Sequence, residues 1–340
     1  MEQQMQKVLS TQDLKIGYHR KGGESISVAK NLNIGLRSGE LICLLGPNGS
    51  GKSTLIKTLA GMLPQLEGEV QLFENNVSDL SAKKIAHYLS TVLTDRVTIG
   101  NLSVYQLVAF GRSPYTGWLG SLSREDEEKV RWAIESTGLH DFVHRDISRL
   151  SDGERQKVMI ARALAQDTSV ILLDEPTAHL DLPNRVEIIR LLRKLAHETG
   201  KGILLSTHEL DLALKAGDRI WLMNREQGLL SGVPEDLVLD GTFEHVFRQD
   251  SFDFDRETGS FNIHQLNGKE VTLTGDTVPV FWTRRALERE GYRINETGKS
   301  DIRIEAKKVD GSYIWLTRAS DQKEEFYSME ALIKWLRNKR

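Results

Sequence analysis

The feature that most constrains this 340-residue chain is the nonapeptide Gly46-Pro47-Asn48-Gly49-Ser50-Gly51-Lys52-Ser53-Thr54. It matches GxxxxGK[ST] at every fixed position. An apolar run over residues 41–46 precedes it and reads as a buried strand. Residues 53–62 follow it with Leu55, Leu59 and Met62 at helical spacing. Strand, glycine-rich loop and helix in that order make half of a βαβ unit. Glycines let the backbone curl so that several N–H groups face one anion. The helix N-terminus adds partial positive charge. Lys52 is placed to reach the β- and γ-phosphates of a nucleotide, and the Ser53 hydroxyl to reach Mg²⁺.

The rest of the chain supplies the fold this loop needs. Residues 7–17 and 26–36 are β-compatible and are separated by a turn-like insert over 19–24 with Gly22 and Gly23. From about 102 to 165 the pattern is mostly helical. Helices are expected over 102–111, over 124–137 (capped by Ser123, acidic in its first turn and stopped by Gly138) and over 152–165. Then apolar strands over 170–175, 202–207 and 219–224 alternate with helices over 183–198 and 209–216. That alternation predicts an α/β fold with a mainly parallel sheet covered on both faces.

The strand over 170–175 ends in Asp174-Glu175. Asp174 suits Mg²⁺, directly or through water, and Glu175 suits a general base that polarises an attacking water. On its own this pair is equally a solvated strand edge or a helix cap; the phosphate loop gives it its meaning. His208 follows the strand over 202–207, at the end of the sheet where ligands of α/β folds bind. By residue type alone it is also an ordinary polar loop residue. Tyr18 can stack on a base such as adenine, or be a half-buried strand aromatic.

These pieces together resemble the ATP-binding-cassette (ABC) family. Leu150-Ser151-Asp152-Gly153-Glu154 is similar to that family's LSGGQ signature, with Asp152 and Glu154 replacing a glycine and a glutamine. Ala178-His179-Leu180-Asp181 resembles its D-loop, Ser206-Thr207-His208 its switch histidine, and Tyr18 falls where it has an adenine-stacking aromatic. The resemblance spans about residues 7–250. It implies a P-loop ATPase cassette with antiparallel β and helical subdomains, the latter over about 100–168. It implies a head-to-tail homodimer of cassettes in which each ATP lies between the phosphate loop of one copy and the signature of the other. ATP and Mg²⁺ are then the cofactors. Residues 46–54 with Tyr18, Ser151, Gly153 and Asp181 bind nucleotide; Lys52, Glu175 and His208 act in hydrolysis; Ser53 and Asp174 hold the metal. The two signature acids bring negative charge near a phosphate unless they pair with Arg155 or Lys157. The family's usual glutamine between the subdomains has Thr94 in its place, with Asp95 and Arg96 beside it.

Residues 111–120, Gly111-Arg-Ser-Pro114-Tyr-Thr-Gly-Trp118-Leu-Gly, resemble ATPases that drive uptake of ferric siderophores, haem or cobalamin. The implied partners are transmembrane permease subunits and, indirectly, a periplasmic substrate-binding protein. The implied location is the cytoplasmic face of the membrane. The other function class is a soluble cassette ATPase working on ribosomes or DNA; such proteins usually join two cassettes or carry long coiled-coil inserts, and this chain has one motif set and no heptad arm.

Composition closes some routes. Net charge is −3, which argues against nucleic acid held by bulk positive charge. The N-terminus MEQQMQK lacks an apolar signal core, and no apolar run approaches the roughly 18 residues of a membrane span. The one cysteine, Cys43, lies in the run over 41–45 and is expected to be a buried, inert thiol. Residues 251–264 read as a linker and 265–340 as a small α+β domain with 15 Lys/Arg and 12 Asp/Glu. In that domain strands are expected over 271–274, 301–307, 312–317 and 324–327, and helices over 280–291 and 329–339. Trp282, Trp315 and Trp335 lie on separate predicted elements and are expected to pack a core, with a ligand cage as the alternative. Stabilising the cassette dimer or sensing a regulatory ligand are the two expected roles for this domain.

Overall fold

A computed structural model describes residues 6–20, 23–93, 102–117, 120–224, 228–247, 252–255, 259–263, 269–295, 300–319 and 322–339. The chain divides into two units, Met1–Phe247 and Arg248–Arg340.

The first unit is built on two sheets. The antiparallel one takes β1 (Lys7–Tyr18), β2 (Ile26–Leu32), β3 (Gly35–Arg37), β5 (Glu67–Leu72) and β6 (Asn75–Asn76), in the order β2-β1-β5-β6 with β3 also paired to β1. The other takes β4 (Leu41–Leu45), β7 (Leu89–Val92), β8 (Val170–Asp174), β9 (Gly202–Ser206), β10 (Arg219–Asn224) and β11 (Gly228–Gly232). Its order is β11-β10-β4-β9-β8-β7, parallel except for β11. Every residue of β4, β8 and β9 is buried, as uninterrupted apolar runs in a doubly covered parallel sheet should be. In the register Leu44 lies opposite Ser206 and Ser206 opposite Asp174, so the C-terminal ends of β4, β9 and β8 finish side by side. That is the edge where open α/β sheets bind ligands.

The helices are α1 (Lys52–Leu59), α2 (Ala82–Tyr88), α3 (Val104–Ala109), α4 (Arg124–Ser136), α5 (Asp152–Ala165), α6 (Leu182–Thr199), α7 (Leu210–Ala216), α8 (Pro234–Leu239) and α9 (Thr242–Phe247). Their ends follow the caps. Ser123 closes a capping box with Asp126 at the start of α4, and Ser151 one with Glu154 at the start of α5. Asp181 caps α6, which has proline in its first turn and Gly200 in the left-handed conformation after its last. The helices α3, α4 and α5 pack on one another as the expected helical subdomain. Arg112 is buried beside them. Its Nε lies 2.7 Å from Asp126, its Nη1 donates to the Ala165 carbonyl at 2.9 Å, and its guanidinium lies 3.9 Å from the centre of the Tyr115 ring. The aromatic turn after Gly111 is thus packed on the subdomain; Trp118 lies outside the described residues.

The second unit differs from the sequence expectation at its start. Residues 252–255 and 260–263, within the stretch read as a linker, form an antiparallel hairpin, β12 (Phe252–Asp255) and β13 (Ser260–Ile263). FDFD and SFNI alternate apolar and polar residues, the period-2 pattern of a strand, which acidic and serine content masked. The remainder is a five-stranded sheet, β15-β14-β16-β17-β18, from β14 (Glu270–Gly275), β15 (Arg293–Ile294), β16 (Ile302–Val309), β17 (Ser312–Ala319) and β18 (Gln322–Phe326). Helices α10 (Thr277–Arg289) and α11 (Met329–Asn338) pack with it around Val271, Leu287, Ile304, Trp315 and Trp335. Trp282 is not in that core: it is 57% exposed on α10. Among the described residues no helix is long and apolar enough to cross a membrane.

Candidate nucleotide site

The loop between β4 and α1 is shaped by its glycines. Gly51, the residue before α1, has φ 106°, and a Cβ there would fall 2.4 Å from Val28 Cγ1. A Cβ on Gly46 would fall 2.5 Å from the Met223 carbonyl oxygen. The backbone alone fits here. Lys52 is buried, and its Nζ donates to the Gly46 carbonyl at 2.9 Å. Burial pushes its ammonium below the ordinary lysine range, while Glu175 and Asp174 pull it back. The Ser50 hydroxyl is buried in the loop with no hydrogen-bond partner among the described residues, an orphan donor of the kind an incoming phosphate oxygen satisfies.

The acids at the end of β8 face this loop. Ser53 Oγ donates to Asp174 Oδ1 at 3.1 Å. Ser206, the last residue of β9, donates to the same oxygen at 2.7 Å and accepts from the Glu175 N–H at 2.9 Å. Glu175 has φ 49°, a left-handed conformation that costs a non-glycine residue about 1 kcal/mol or more. The bond from its N–H to Ser206 helps to hold it there. His208 Nε2 lies 2.8 Å from Glu175 Oε1. The structure therefore brings Lys52, Ser53, Asp174, Glu175 and His208 together. Ser206 joins them with a role the sequence does not assign: there it is only part of the Ser-Thr-His string that marks His208.

Tyr18 ends β1 and is 47% exposed, with its hydroxyl 3.0 Å from Thr54 Oγ1. An exposed ring tied to the loop's last residue is free to receive a base on its face. Pro47, Asn48 and Gly49 complete the turn before Ser50. Thr94, with Asp95 and Arg96, lies outside the described residues.

Ser151, Gly153 and Asp181 form a second group at the starts of α5 and α6. Glu154 pairs with neither Arg155 nor Lys157. Its carboxylate accepts from both the N–H and the hydroxyl of Ser151, each at 2.8 Å. Those bonds hold its carboxyl below the ordinary range. Asp152 pairs with Arg155 at 3.1 Å, and Lys157 turns to Glu187 at 2.6 Å. Gly153 is buried against Asn184: a Cβ would fall 2.4 Å from Asn184 Oδ1. Asn184 in turn donates to Asp181 through Nδ2 at 2.6 Å and its backbone N–H at 3.1 Å.

Residues 29–178 match the ABC transporter family, and residues 267–337 match the iron ABC transporter C-terminal domain. Over 246 residues the chain is 37% identical to a petrobactin import ATP-binding protein of Bacillus anthracis, covering 72% of this chain and 88% of that one. Over 243 residues it is 35% identical to the iron(3+)-hydroxamate import ATP-binding protein of Bacillus subtilis, covering 72% and 88%. Among solved structures, a metal-chelate type ABC transporter in an inward-facing conformation superposes with a TM-score of 0.60 at 27% identity, covering 72% of this chain and 89% of that one. The phosphate loop, the acids facing it and this similarity along the cassette agree: the chain belongs to the ABC transporter family, as an ATP-binding subunit with ATPase chemistry.

Proposed function

We propose that this chain is the motor of an importer of an iron chelate, a ferric siderophore or haem, and that it drives a separate transmembrane permease from the cytoplasmic face of the membrane. A substrate-binding protein outside the membrane would deliver the chelate. The observation that carries the reading is one hydrolytic group, Ser53, Asp174, Glu175 and His208, in a chain that also matches the iron ABC transporter C-terminal domain. The named relatives are import ATPases for iron chelates, which supports the choice of cargo. In this reading the unit Met1–Phe247 is the motor and the unit Arg248–Arg340 is appended to it.

Ser53 Oγ and Asp174 Oδ1 are two hard oxygens 3.1 Å apart, a donor set that fits Mg²⁺. Bound there, the ion would neutralise charge on the β- and γ-phosphates. The chain's residues do the rest. The loop N–H groups and Lys52 hold the phosphates; Lys52 gives up its bond to the Gly46 carbonyl to do so. Glu175 accepts the proton of the attacking water as its oxygen bonds to the γ-phosphorus and the bond to the β-phosphate oxygen breaks. His208 orients the Glu175 carboxylate. Two copies arranged head to tail would bring Ser151 and the N–H groups at the start of α5 onto the partner's ATP. ATP then clamps the dimer and hydrolysis opens it.

The test is co-purification. Tagged Glu175→Gln protein is captured from membranes in mild detergent with ATP. A polytopic membrane protein, and loss of iron-chelate uptake in the variant, is the expected result. Recovery with ribosomes or DNA and no membrane partner would replace this reading with the soluble one.

A further inference from the structure

The second unit holds an open cavity of about 500 Å³ that the nucleotide chemistry does not use. Its size is that of a small-molecule site. The floor is Pro279, Ala286 and the buried indole of Trp315, whose Nε1 is fixed by a 2.6 Å bond to Thr283 Oγ1. Two flat side chains, Trp282 and Tyr313, stand at the walls, 57% and 40% exposed. Trp282 packs edge-on against Phe281, with ring centres 5.4 Å apart, and still leaves more than half of its surface in water.

The cavity itself is apolar, and the charged residues that border it are of one sign. Arg285 and Arg289, one turn apart on α10, both line it, and among its described lining residues there is no carboxylate. Arg285 is held by aromatic faces: its guanidinium lies 5.1 Å from the centre of Phe281 and 5.6 Å from that of Trp282. Lys308 Nζ lies 6.0 Å from the centre of the Tyr313 ring. Arg337 of the same unit pairs instead with Glu290 at 2.6 Å. An indole and a phenol offer stacking faces; two guanidiniums offer forked donors for a carboxylate or phosphate.

We infer that this cavity binds a small planar aromatic ring bearing an anionic group at its edge, the ring against Trp282 and Tyr313 and the anion on Arg285 and Arg289. Aromatic acids and nucleotides share this chemistry and differ in the anion. The inference does not depend on what the motor imports.

The full-length protein, with its nucleotide site filled by Mg–ADP, is titrated calorimetrically with 1-naphthoate, with the uncharged 1-naphthalenemethanol and with AMP. One equivalent of naphthoate or AMP is expected to bind, with the uncharged ring weaker by about tenfold or more. Naphthoate binding without AMP binding points to aromatic acids; the converse points to nucleotides. Arg285→Gln with Arg289→Gln, both exposed, should weaken the anion by about tenfold or more and leave the uncharged ring unchanged. Trp282→Ala should weaken all of the probes that bind. No binding of either anion up to millimolar concentration, or anion binding that the arginine pair does not affect, would overturn the assignment.

Discussion

Ser206 Oγ donates to Asp174 Oδ1 at 2.7 Å, and the same oxygen of Ser206 receives the N–H of Glu175. One hydroxyl therefore fixes the carboxylate placed to hold the metal and the backbone that aims the general base. Replacing it with alanine strips the buried carboxylate of a donor and leaves the Glu175 N–H unmet, a loss of about 1–3 kcal/mol. Ser206→Ala is expected to lower kcat by about tenfold while changing ATP affinity by less than about threefold. Steady-state phosphate release, set beside a nucleotide titration, reads both; an unaltered kcat would remove Ser206 from the catalytic arrangement.

Glu175→Gln and Lys52→Ala should fail in different ways. Without its base, the first variant should lose at least about 100-fold in turnover yet bind ATP and accumulate as closed dimers on size exclusion. Wild-type turnover in it would sink the general-base assignment. The second should lose nucleotide affinity itself, by about tenfold or more, because a charge-assisted phosphate contact is gone. Unchanged affinity would contradict that contact.

The buried pair Arg112–Asp126 makes a stability prediction. Burial pulls the Asp126 carboxyl upward, but hydrogen bonds from Ser123 and Arg112 outweigh it and hold the group below the ordinary range. A depressed folded value contributes stability that is present above the unfolded pKa and lost as pH falls through the folded one. Acid unfolding below about pH 4 should therefore shift in Asp126→Asn, with this part of the pH dependence removed. Arg112→Met leaves a buried carboxylate unpaired and should cost about 3 kcal/mol by urea denaturation. An unchanged midpoint would refute the pair's structural role.

Cys43 is fully buried, and burial, with Asp218 nearby, pushes its thiol up to about 12. The native protein should resist alkylation at pH 8.5 and react fully once unfolded in urea. The raised value means that the fold keeps a proton the unfolded chain gives up. The thiol's contribution is thus whole below about pH 8.5 and lost as pH rises through about 12. Cys43→Ala should flatten the alkaline fall in stability; the same slope with and without the thiol would refute this.

Local rules that point one way made most of the cassette legible. The helix expected over 152–165 was found at Asp152–Ala165 because a cap, an acidic first turn and apolar periodicity coincide. The phosphate loop was legible because its spacing is fixed by backbone geometry. Elsewhere the signal was thin. In β5 only Val70 and Leu72 are buried, so Glu67–Leu72 shows too few apolar residues to declare a strand; its partner β1 supplies the reason for it. Strand β7 has four residues, below the length at which periodicity speaks. Trp282 shows the opposite failure, for aromatic content suggested a core and the helix turned that ring outward. Ser206 was hidden because its role comes from sheet register, which joins residues 32 apart in the chain.

The contact between Gly153 and Asn184 explains what this corner of the cassette tolerates. The residues on either side of the glycine depart from the LSGGQ pattern, and both acids are accommodated, one by Arg155 and one by the first turn of its own helix. Position 153 is tighter: a single methyl would displace the Asn184 side-chain amide, which bonds Asp181. Charge at the start of this helix is absorbed locally, whereas added bulk has to move Asn184. Even the smallest added side chain there would be felt in the neighbouring loop before it was felt by any nucleotide.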